Sequence, residues 1–269
     1  FQQMYDVISQ NKIDYIKWDC NRNITEAASA LLPAERQGEF FHRYVLGVYD
    51  LMDRITSAFP HILLENCSGG GGRFDPGMLY YSPQIWTSDN TDPIERLGIQ
   101  FGASLCYPVA SMGAHVSANP RTGIETKAAV AMAGTFGYEL DPRELTDEQR
   151  EIIRQQVADY HKYYDLIHYG DFYRITAPTV DPFVCDWQFV SPDKSEALFT
   201  RVVMRHPSQM YQCVRLVGLD PDKLYTDEAT GKTYSGALLM NGGIDLSTYE
   251  FSDNKDGDSF VKYFVAVGK

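Results

Sequence analysis

The 269-residue sequence lacks several features that would place a protein in a broad class at once. It has no uninterrupted apolar run of about 18 residues, so no membrane-spanning helix is expected. It also lacks a basic segment followed by an apolar one, so no signal peptide is expected. Basic residues are few: 24 lysines and arginines against 36 aspartates and glutamates give a formal charge of −12. Such a surface repels phosphate backbones, which argues against nucleic acid as a partner.

Cysteine is also scarce, with five residues, irregular spacing and no CxxC pair. That pattern is typical of free thiols in a reducing compartment, and we therefore expect a cytoplasmic protein. No metal is expected either, because the histidines show no HExxH or similar spacing. What the sequence does contain is 44% hydrophobic and 13% aromatic residues, which is enough to bury a substantial core.

Short apolar runs alternate with helix-like stretches over the first 170 residues. Apolar residues recur every three or four positions from Phe41 to Ile55, which predicts an amphipathic helix. An Ala-rich helix is expected over 123–133, and another begins at the capping box Thr146-x-x-Gln149. Strands are predicted over 13–19, 61–65, 84–89, 112–117 and 135–140. Repeated strand–helix units favour a parallel sheet or barrel, and five strands would form about half of a (β/α)8 barrel.

The pattern changes after about residue 170. Short strands separated by turn residues are predicted over 187–190, 197–203, 214–217, 223–226 and 260–267. Their regular spacing is typical of an antiparallel β-sandwich. We therefore expect two domains, 1–170 and 171–269. Residues 1–8 resemble the second half of an amphipathic helix, so the chain is expected to begin within a domain.

Polar side chains follow the first three predicted strands. Lys17 and Asp19 end the first strand, a run of four glycines (69–72) follows the second, and Asp89 ends the third. The C-terminal ends of barrel strands open onto one face, where the active sites of this fold lie. Asp19 and Asp89 are therefore expected to face each other across a pocket, although 70 positions separate them.

A pair of carboxylates is suited to glycoside hydrolysis. One carboxylate attacks the anomeric carbon, while the other is kept protonated and donates to the leaving oxygen. Lys17 lies two positions before Asp19, so both side chains share one strand face and the ammonium would keep Asp19 ionised. Asn21, Trp18 and Trp86 add polar and aromatic surface suited to a sugar.

These residues also have structural interpretations. Either aspartate could be a helix cap or a turn former, and both tryptophans are more typical of packing residues. The four glycines could form a flexible loop or allow close backbone approach to a ligand. They match neither GxGxxG nor GK[ST], which argues against a phosphate cradle. Cys67 is by default a buried, small apolar residue.

Three long segments together resemble glycoside hydrolase family 36, the α-galactosidases related to raffinose-degrading enzymes. They are YIKWDCNR at 15–22, LENCSGGGGRFD at 64–75 and IWTSDNTDPIERL at 85–97. The resemblance implies a retaining mechanism in which Asp19 matches the family nucleophile and Asp89 the acid/base. Residues that match sugar contacts or the loop near the sugar ring are Lys17, Asn21, Cys67, Gly69 and Gly70. Asp92 is expected to be a capping residue, and no cofactor or metal is expected.

The resemblance implies removal of terminal α-galactose from oligosaccharides such as melibiose or raffinose. Within the same family, α-N-acetylgalactosaminidase and galactosyl transfer stay open, and a non-catalytic sugar-binding protein is the alternative from another class. By family analogy we expect a homo-tetramer. Family members are far longer, so this chain is expected to hold about strands 4 to 8 of the barrel plus the β-sandwich. The exposed sheet edge would leave the 269-residue piece inactive when expressed alone.

Overall fold

The computed structural model describes residues 1–206, 213–246 and 255–267. The chain divides into two compact units, Phe1–Asp89 and Asn90–Lys269. In the first unit, three parallel strands lie in the order β1-β2-β3 and alternate with helices. The elements of this unit are α1 (Gln2–Gln10), β1 (Tyr15–Asp19), a 3-10 helix (Ala34–Glu39), α2 (Phe40–Ala58), β2 (Leu63–Cys67), α3 (Pro76–Tyr81) and β3 (Gln84–Trp86).

The helices of the first unit cover the sheet with apolar side chains. Ile55 on α2 and Ile8 on α1 pack with Leu64 on β2 in one buried cluster. A second cluster joins Met52 on α2 to Ile85 on β3. The helix that the periodicity predicted from residue 41 is thereby confirmed, and the C-terminal part of its apolar stripe, with Met52 and Ile55, is the face that the strands bury. The N-terminal part of the stripe, with Phe41, Tyr44 and Val45, is exposed.

The second unit begins with more strand–helix units. The elements are α4 (Pro93–Ala103), a 3-10 helix (Val109–Ser111), β4 (Met112–Ser117), α5 (Ile124–Ala131), β5 (Thr135–Glu139) and α6 (Asp147–Tyr169). β4 and β5 pair in parallel. The predicted capping box is present at the start of α6: the Thr146 hydroxyl accepts from the Gln149 N–H, and the Gln149 side chain accepts from the Thr146 N–H.

Antiparallel sheets follow α6. Among the described residues, a six-stranded sheet has the order β11-β10-β13-β8-β7-β6, and β9 pairs with β12 in a smaller sheet. These elements are β6 (Asp171–Thr176), β7 (Val184–Val190), β8 (Glu196–Val203), β9 (Cys213–Val214), β10 (Leu224–Asp227), β11 (Thr233–Ser235), α7 (Gly236–Asn241), β12 (Ile244–Asp245) and β13 (Ser259–Val267). Phe199 and Phe264 from the large sheet pack in one core with Val214 and Ile244 from the small sheet and with Leu239 from α7.

The predicted fold class is confirmed: strand–helix units of a partial (β/α)8 barrel are followed by an antiparallel β-sandwich. The domain division at residue 170 stays a prediction. The two compact units divide after Asp89, whereas the change from helix to antiparallel strand occurs between Tyr169 and Asp171. No helix in the described ranges is both long and apolar enough to cross a bilayer.

Several predicted strand bounds are wrong by a few residues. The second strand was predicted over 61–65 but spans Leu63–Cys67, because the chain stays in the sheet through the buried polar residues Glu65 and Asn66. The third was predicted over 84–89 but ends at Trp86. The strand predicted over 214–217 is limited to Cys213–Val214.

Candidate active site

Asp19 ends β1, and its carboxylate is held by neighbours in the sequence. Its Oδ1 accepts a 2.8 Å hydrogen bond from the N–H of Cys20, and its Oδ2 accepts one of 2.8 Å from Nδ2 of Asn21. The side chain is exposed to solvent. Asp19 is thus a carboxylate of fixed orientation at the C-terminal end of a parallel strand.

The hydrogen bonds around Asp19 favour its ionised form. Desolvation by itself would raise the pKa of Asp19, but hydrogen bonds from Asn21, Cys67 and Cys20, together with the charge of Lys17, hold that pKa below its ordinary value. The sequence predicted Lys17 as the group that keeps Asp19 ionised. The charge of Lys17 does lower that pKa, but the hydrogen bond from Asn21 is the largest of the lowering contributions and the charge of Lys17 is the smallest.

Cys67 is the register partner of Asp19 on β2. It is buried, as its apolar character predicted. Burial, partly opposed by a backbone hydrogen bond at Gly70, raises the pKa of the Cys67 thiol, and the neighbouring Asp19 carboxylate raises it further. The side chain is therefore a neutral thiol, which donates to the Asp19 carboxylate.

Lys17 shares the strand face of Asp19, as predicted from their spacing, but its ion-pair partner is Glu65. The Lys17 Nζ lies 3.5 Å from Oε1 of Glu65 and 4.7 Å from the centroid of the Trp86 ring. Glu65 is 1% exposed. No role was predicted for Glu65 from the sequence, although an acidic residue within an apolar strand is a signal that could have identified it.

The glycine run forms a turn that contacts two of the strand ends. The Gly69 N–H donates a 2.6 Å hydrogen bond to Oδ1 of Asn21. Gly70 has a φ of +81°, and a Cβ placed there would lie 2.6 Å from Cα of Ser88 and 3.1 Å from N of Asp89. Gly70 therefore allows a close approach to the backbone of 88–89, while the predicted close approach of this turn to a ligand stays a prediction.

Asp89 follows β3 and is exposed. Its Oδ1 accepts a 3.0 Å hydrogen bond from the indole Nε1 of Trp86. Trp86 is 3% exposed, so it is a packed residue that also orients Asp89. Trp18 likewise packs against a buried cluster, which includes Met52. The packing interpretation of both tryptophans holds.

Arg73 contributes to the site although no role was predicted for it from the sequence. Its Nη2 donates hydrogen bonds of 2.9 Å to the carbonyl of Trp18 and 2.6 Å to that of Cys67. The guanidinium thus ties the ends of β1 and β2 together directly beside Asp19. In the sequence, the only indication of this role is that Arg73 directly follows the glycine run. Its two hydrogen-bond acceptors are backbone carbonyls, and these cannot be identified from the sequence.

Asp92 is the N-cap of α4, as predicted. Its side chain accepts hydrogen bonds from the N–H groups of Ile94 and Glu95, and Pro93 occupies the first turn. Arg121 also donates to it, at 3.2 Å. An acceptor at this position satisfies N–H groups that have no partner within the helix, which accounts for the aspartate.

The first unit therefore places an ionised, oriented carboxylate, a second exposed carboxylate and a lysine ammonium at or near the C-terminal ends of β1 and β3, which belong to one parallel sheet and are separated by β2. Such a set can perform nucleophilic and general acid/base chemistry on a small polar molecule. In the described part of the chain, no cluster of three or more histidine, cysteine, aspartate or glutamate residues is arranged to hold a metal ion.

Comparison with known protein families gives two matches. The Melibiase model matches residues 1–170, and the model of the glycosyl hydrolase family 36 C-terminal domain matches residues 184–264. Similar curated proteins include alpha-galactosidase AgaA of Geobacillus stearothermophilus, which is 49% identical over 92% of this chain and 35% of its own length. Alpha-galactosidase Mel36A of Lactobacillus acidophilus is 46% identical over 99% of this chain and 37% of its own length.

Solved structures give the same result. The crystal structure of AgaA from Geobacillus stearothermophilus superimposes with a TM-score of 0.94 at 46% identity, covering 99% of this chain and 37% of that one. The alpha-galactosidase from Lactobacillus brevis superimposes with a TM-score of 0.95 at 42% identity, covering 100% and 37%. This chain thus spans little more than a third of the length of these relatives.

Proposed function

This chain belongs to glycoside hydrolase family 36, and from that premise we propose that the protein carrying it removes terminal non-reducing α-D-galactose from oligosaccharides of the melibiose and raffinose type. The observation that carries the proposal is the pair Asp19 and Asp89, at the ends of strands β1 and β3. Relatives at 46–49% identity are named alpha-galactosidases. Crystal structures of AgaA variants are described in complex with raffinose and with stachyose.

Asp19 acts as the nucleophile. Its ionised carboxylate attacks the anomeric carbon as the bond to the leaving oxygen breaks, which forms a covalent β-galactosyl ester. Asp89 enters the step protonated and gives its proton to the leaving oxygen. Asp89 then takes a proton from water as that water attacks the ester, so Asp19 is released as a carboxylate and the α-configuration is retained.

The AgaA complexes support this pair of roles. The complex with stachyose and the complex with raffinose each carry a substituted aspartate, and the two aspartates are 70 positions apart in that protein. Asp19 and Asp89 have the same separation. Substituting a catalytic carboxylate is a way to keep a natural substrate intact in a crystal.

The remaining residues of the cluster bind the sugar. Asn21 orients Asp19 through one amide hydrogen and keeps a second for a sugar hydroxyl. Lys17 is 38% exposed and presents its ammonium on the strand face of Asp19. Cys67 lies beside Asp19 and Gly69 donates to Asn21, so Cys67 and the turn at Gly69 and Gly70 would meet the ring of the bound galactose.

Hydrolysis with retention tests the proposal. The intact protein that contains this chain is incubated with p-nitrophenyl α-galactoside and with raffinose, and proton NMR follows the first anomer of galactose released. We expect α-galactose first, and no comparable turnover by the Asp19→Ala variant. Asp14→Ala, a change at an exposed aspartate shortly before β1, is the matched control and should retain turnover.

Three further outcomes would each replace the proposal. Faster turnover of p-nitrophenyl α-N-acetylgalactosaminide than of the galactoside would identify an α-N-acetylgalactosaminidase. If the enzyme, given sucrose as acceptor, forms galactosylated sugars in preference to free galactose, it is a galactosyltransferase. Galactose binding without turnover of either substrate would assign a sugar-binding protein.

We also propose a homo-tetrameric cytoplasmic enzyme with a domain boundary near residue 170. The acidic net charge of −12 supports a small neutral oligosaccharide rather than nucleic acid as the partner. Light scattering on the intact protein tests the tetramer, since a monomer or dimer mass would exclude it.

A further inference from the structure

We propose that Glu65 is a positioning residue whose buried carboxylate holds the ammonium of Lys17 against the Trp86 ring, so that the lysine is oriented before a sugar binds. The inference rests on the proposed function, because it explains how Lys17 performs its part in that function. It concerns a residue that is too buried to touch the substrate itself.

Strand register brings the residues together. Lys17 and Glu65 are direct partners across β1 and β2, and Glu65 is the partner of Gln84 on β3. Tyr15 lies two residues before Lys17 on β1, and Trp86 lies two residues after Gln84 on β3. Since side chains two residues apart on a strand project from the same face, both share the face of these partners. All five side chains therefore project from the same side of the parallel sheet.

The Glu65 carboxylate is held by side chains other than Lys17 as well. The hydroxyl of Tyr15 and Nε2 of Gln84, the latter at 2.5 Å, both donate to Oε2 of Glu65. The Lys17 Nζ instead lies 3.5 Å from the other oxygen, Oε1. Two neutral donors therefore anchor one oxygen, and the other oxygen, which shares the carboxylate's negative charge, faces the ammonium.

Burial strengthens this arrangement. A carboxylate that is 1% exposed has lost its hydration, so its attraction to a cation is screened less than it would be between two exposed groups. The ring of Trp86 approaches the ammonium within 4.7 Å of its centroid, which adds a cation–π attraction. Trp86 is itself fixed by its hydrogen bond to Asp89.

Lys17 nevertheless stays accessible. Its side chain is 38% exposed, so the ammonium keeps donors free for a ligand on the face of Asp19. A lysine stem has four flexible bonds, and ordering it during binding would weaken affinity. Fixing the ammonium in advance removes that penalty, which is the contribution we assign to Glu65.

The test compares Glu65→Gln, Lys17→Met and the double variant in the intact protein. Isothermal titration with D-galactose gives Kd, and p-nitrophenyl α-galactoside gives kcat and KM separately. Glu65→Gln keeps the shape of the side chain and removes its charge. We expect Kd for galactose and KM to rise about tenfold, with kcat changed much less. The double variant should bind no more weakly than Lys17→Met alone.

Tyr15→Phe is the matched control, because it removes one donor to Glu65 and leaves the charge and Lys17 in place. It should affect Kd much less than Glu65→Gln does. Thermal unfolding is recorded for each variant. If Glu65→Gln fails to fold, Glu65→Asp replaces it; this variant retracts the carboxylate from Lys17, and the same loss of affinity is expected.

Two results would overturn the inference. One is a Glu65 variant that unfolds at lower temperature but binds galactose as the parent does, which would make Glu65 structural only. The other is a loss of affinity that is equally large with and without Lys17. If Lys17→Met itself leaves Kd unchanged, the proposed sugar-binding role of Lys17 fails instead, and absent turnover of any α-galactoside by the parent would remove the proposed function.

Discussion

Asn21 lies two residues beyond Asp19, and its amide Nδ2 donates a 2.8 Å hydrogen bond to Oδ2 of that aspartate. Its Oδ1 accepts a 2.6 Å hydrogen bond from the N–H of Gly69. Asn21 therefore connects the end of β1 to the glycine turn that follows β2. The hydrogen bond from Asn21 both orients the Asp19 carboxylate and lowers its pKa.

Removing the amide should shift the pH dependence of activity. The hydrogen bonds to Asp19, with that of Asn21 the largest, outweigh desolvation and lower the pKa of Asp19. In Asn21→Ala that pKa should rise toward its ordinary value, so a larger fraction of Asp19 is protonated at low pH. The acidic limb of kcat/KM against pH should therefore move to higher pH.

The matched control for this variant is Asn11→Ala. Asn11 donates to the carbonyl of Val7 at the end of α1, and its replacement should leave the acidic limb in place. An unchanged limb in Asn21→Ala, or one that moves to lower pH, would contradict the role assigned to Asn21.

Gly70→Ala should damage both stability and catalysis. The φ at Gly70 is positive, and a Cβ at this position would lie only 2.6 Å from Cα of Ser88, so there is no space for a side chain. We expect a loss of about 1–3 kcal/mol in the free energy of unfolding. Displacement of Asp89 should lower kcat by about 100-fold. Urea denaturation and steady-state kinetics measure the two effects.

Gly47→Ala is the control for Gly70→Ala. Gly47 lies within α2, and a Cβ there would meet nothing within 4 Å. Alanine should stabilise the helix by about 0.5–1 kcal/mol without changing kcat. Equal behaviour of the two variants would show that the glycine turn does not constrain the site.

Asp92→Ala should lower the free energy of unfolding and leave the catalytic activity largely unchanged. The change removes the acceptor for the first N–H groups of α4, which is worth about 1 kcal/mol. Asp92→Ser retains a capping oxygen and should restore most of that loss. A serine variant that is stable but as inactive as Asp19→Ala would show instead that Asp92 is a third catalytic carboxylate.

The antiparallel region depends on a buried ion pair. Nε and Nη2 of Arg201 donate hydrogen bonds of 2.6 and 2.9 Å to the two oxygens of Asp186, and the hydroxyl of Thr176 donates a third. Asp186→Ala leaves the guanidinium buried without its counter-charge, so the free energy of unfolding should fall by about 3–5 kcal/mol.

Chemical denaturation measures this loss, and Glu151→Ala is the comparison. Glu151 pairs with Arg154 on the exposed surface of α6, and breaking a surface pair should change stability by less than about 1 kcal/mol. Comparable losses of stability in the two variants would show that the buried ion pair contributes no more to folding than the exposed one.

Some of the site could be predicted from local periodicity alone. Lys17 and Asp19 lie two positions apart, and the alternation of a strand places them on one face whatever the rest of the fold is. Asp89 could be assigned to the same sheet edge as Asp19, because parallel strands present their C-terminal ends together. The capping residues Thr146 and Asp92 could be predicted because a cap needs only its own helix.

Contacts between strands could not be predicted in this way. The pairing of Lys17 with Glu65 depends on the register of β1 against β2, and 48 positions separate the two residues. The second strand was predicted two residues early because its apolar run ends at Leu64, while its buried polar residues continue the strand to Cys67. Arg73 binds backbone carbonyls. Every residue has such a carbonyl, so the residue types in the sequence do not indicate this contact.

The identity of the nucleophile is the central claim, and covalent trapping tests it directly. The intact protein is incubated with 5-fluoro-α-D-galactosyl fluoride, whose reactive leaving group allows the ester to form while the ring fluorine slows its hydrolysis. Peptide mass spectrometry then locates the added sugar. We expect the label on Asp19 and no label in Asp19→Ala, whereas a label on Asp89, or on any residue other than Asp19, would show that Asp19 is not the nucleophile.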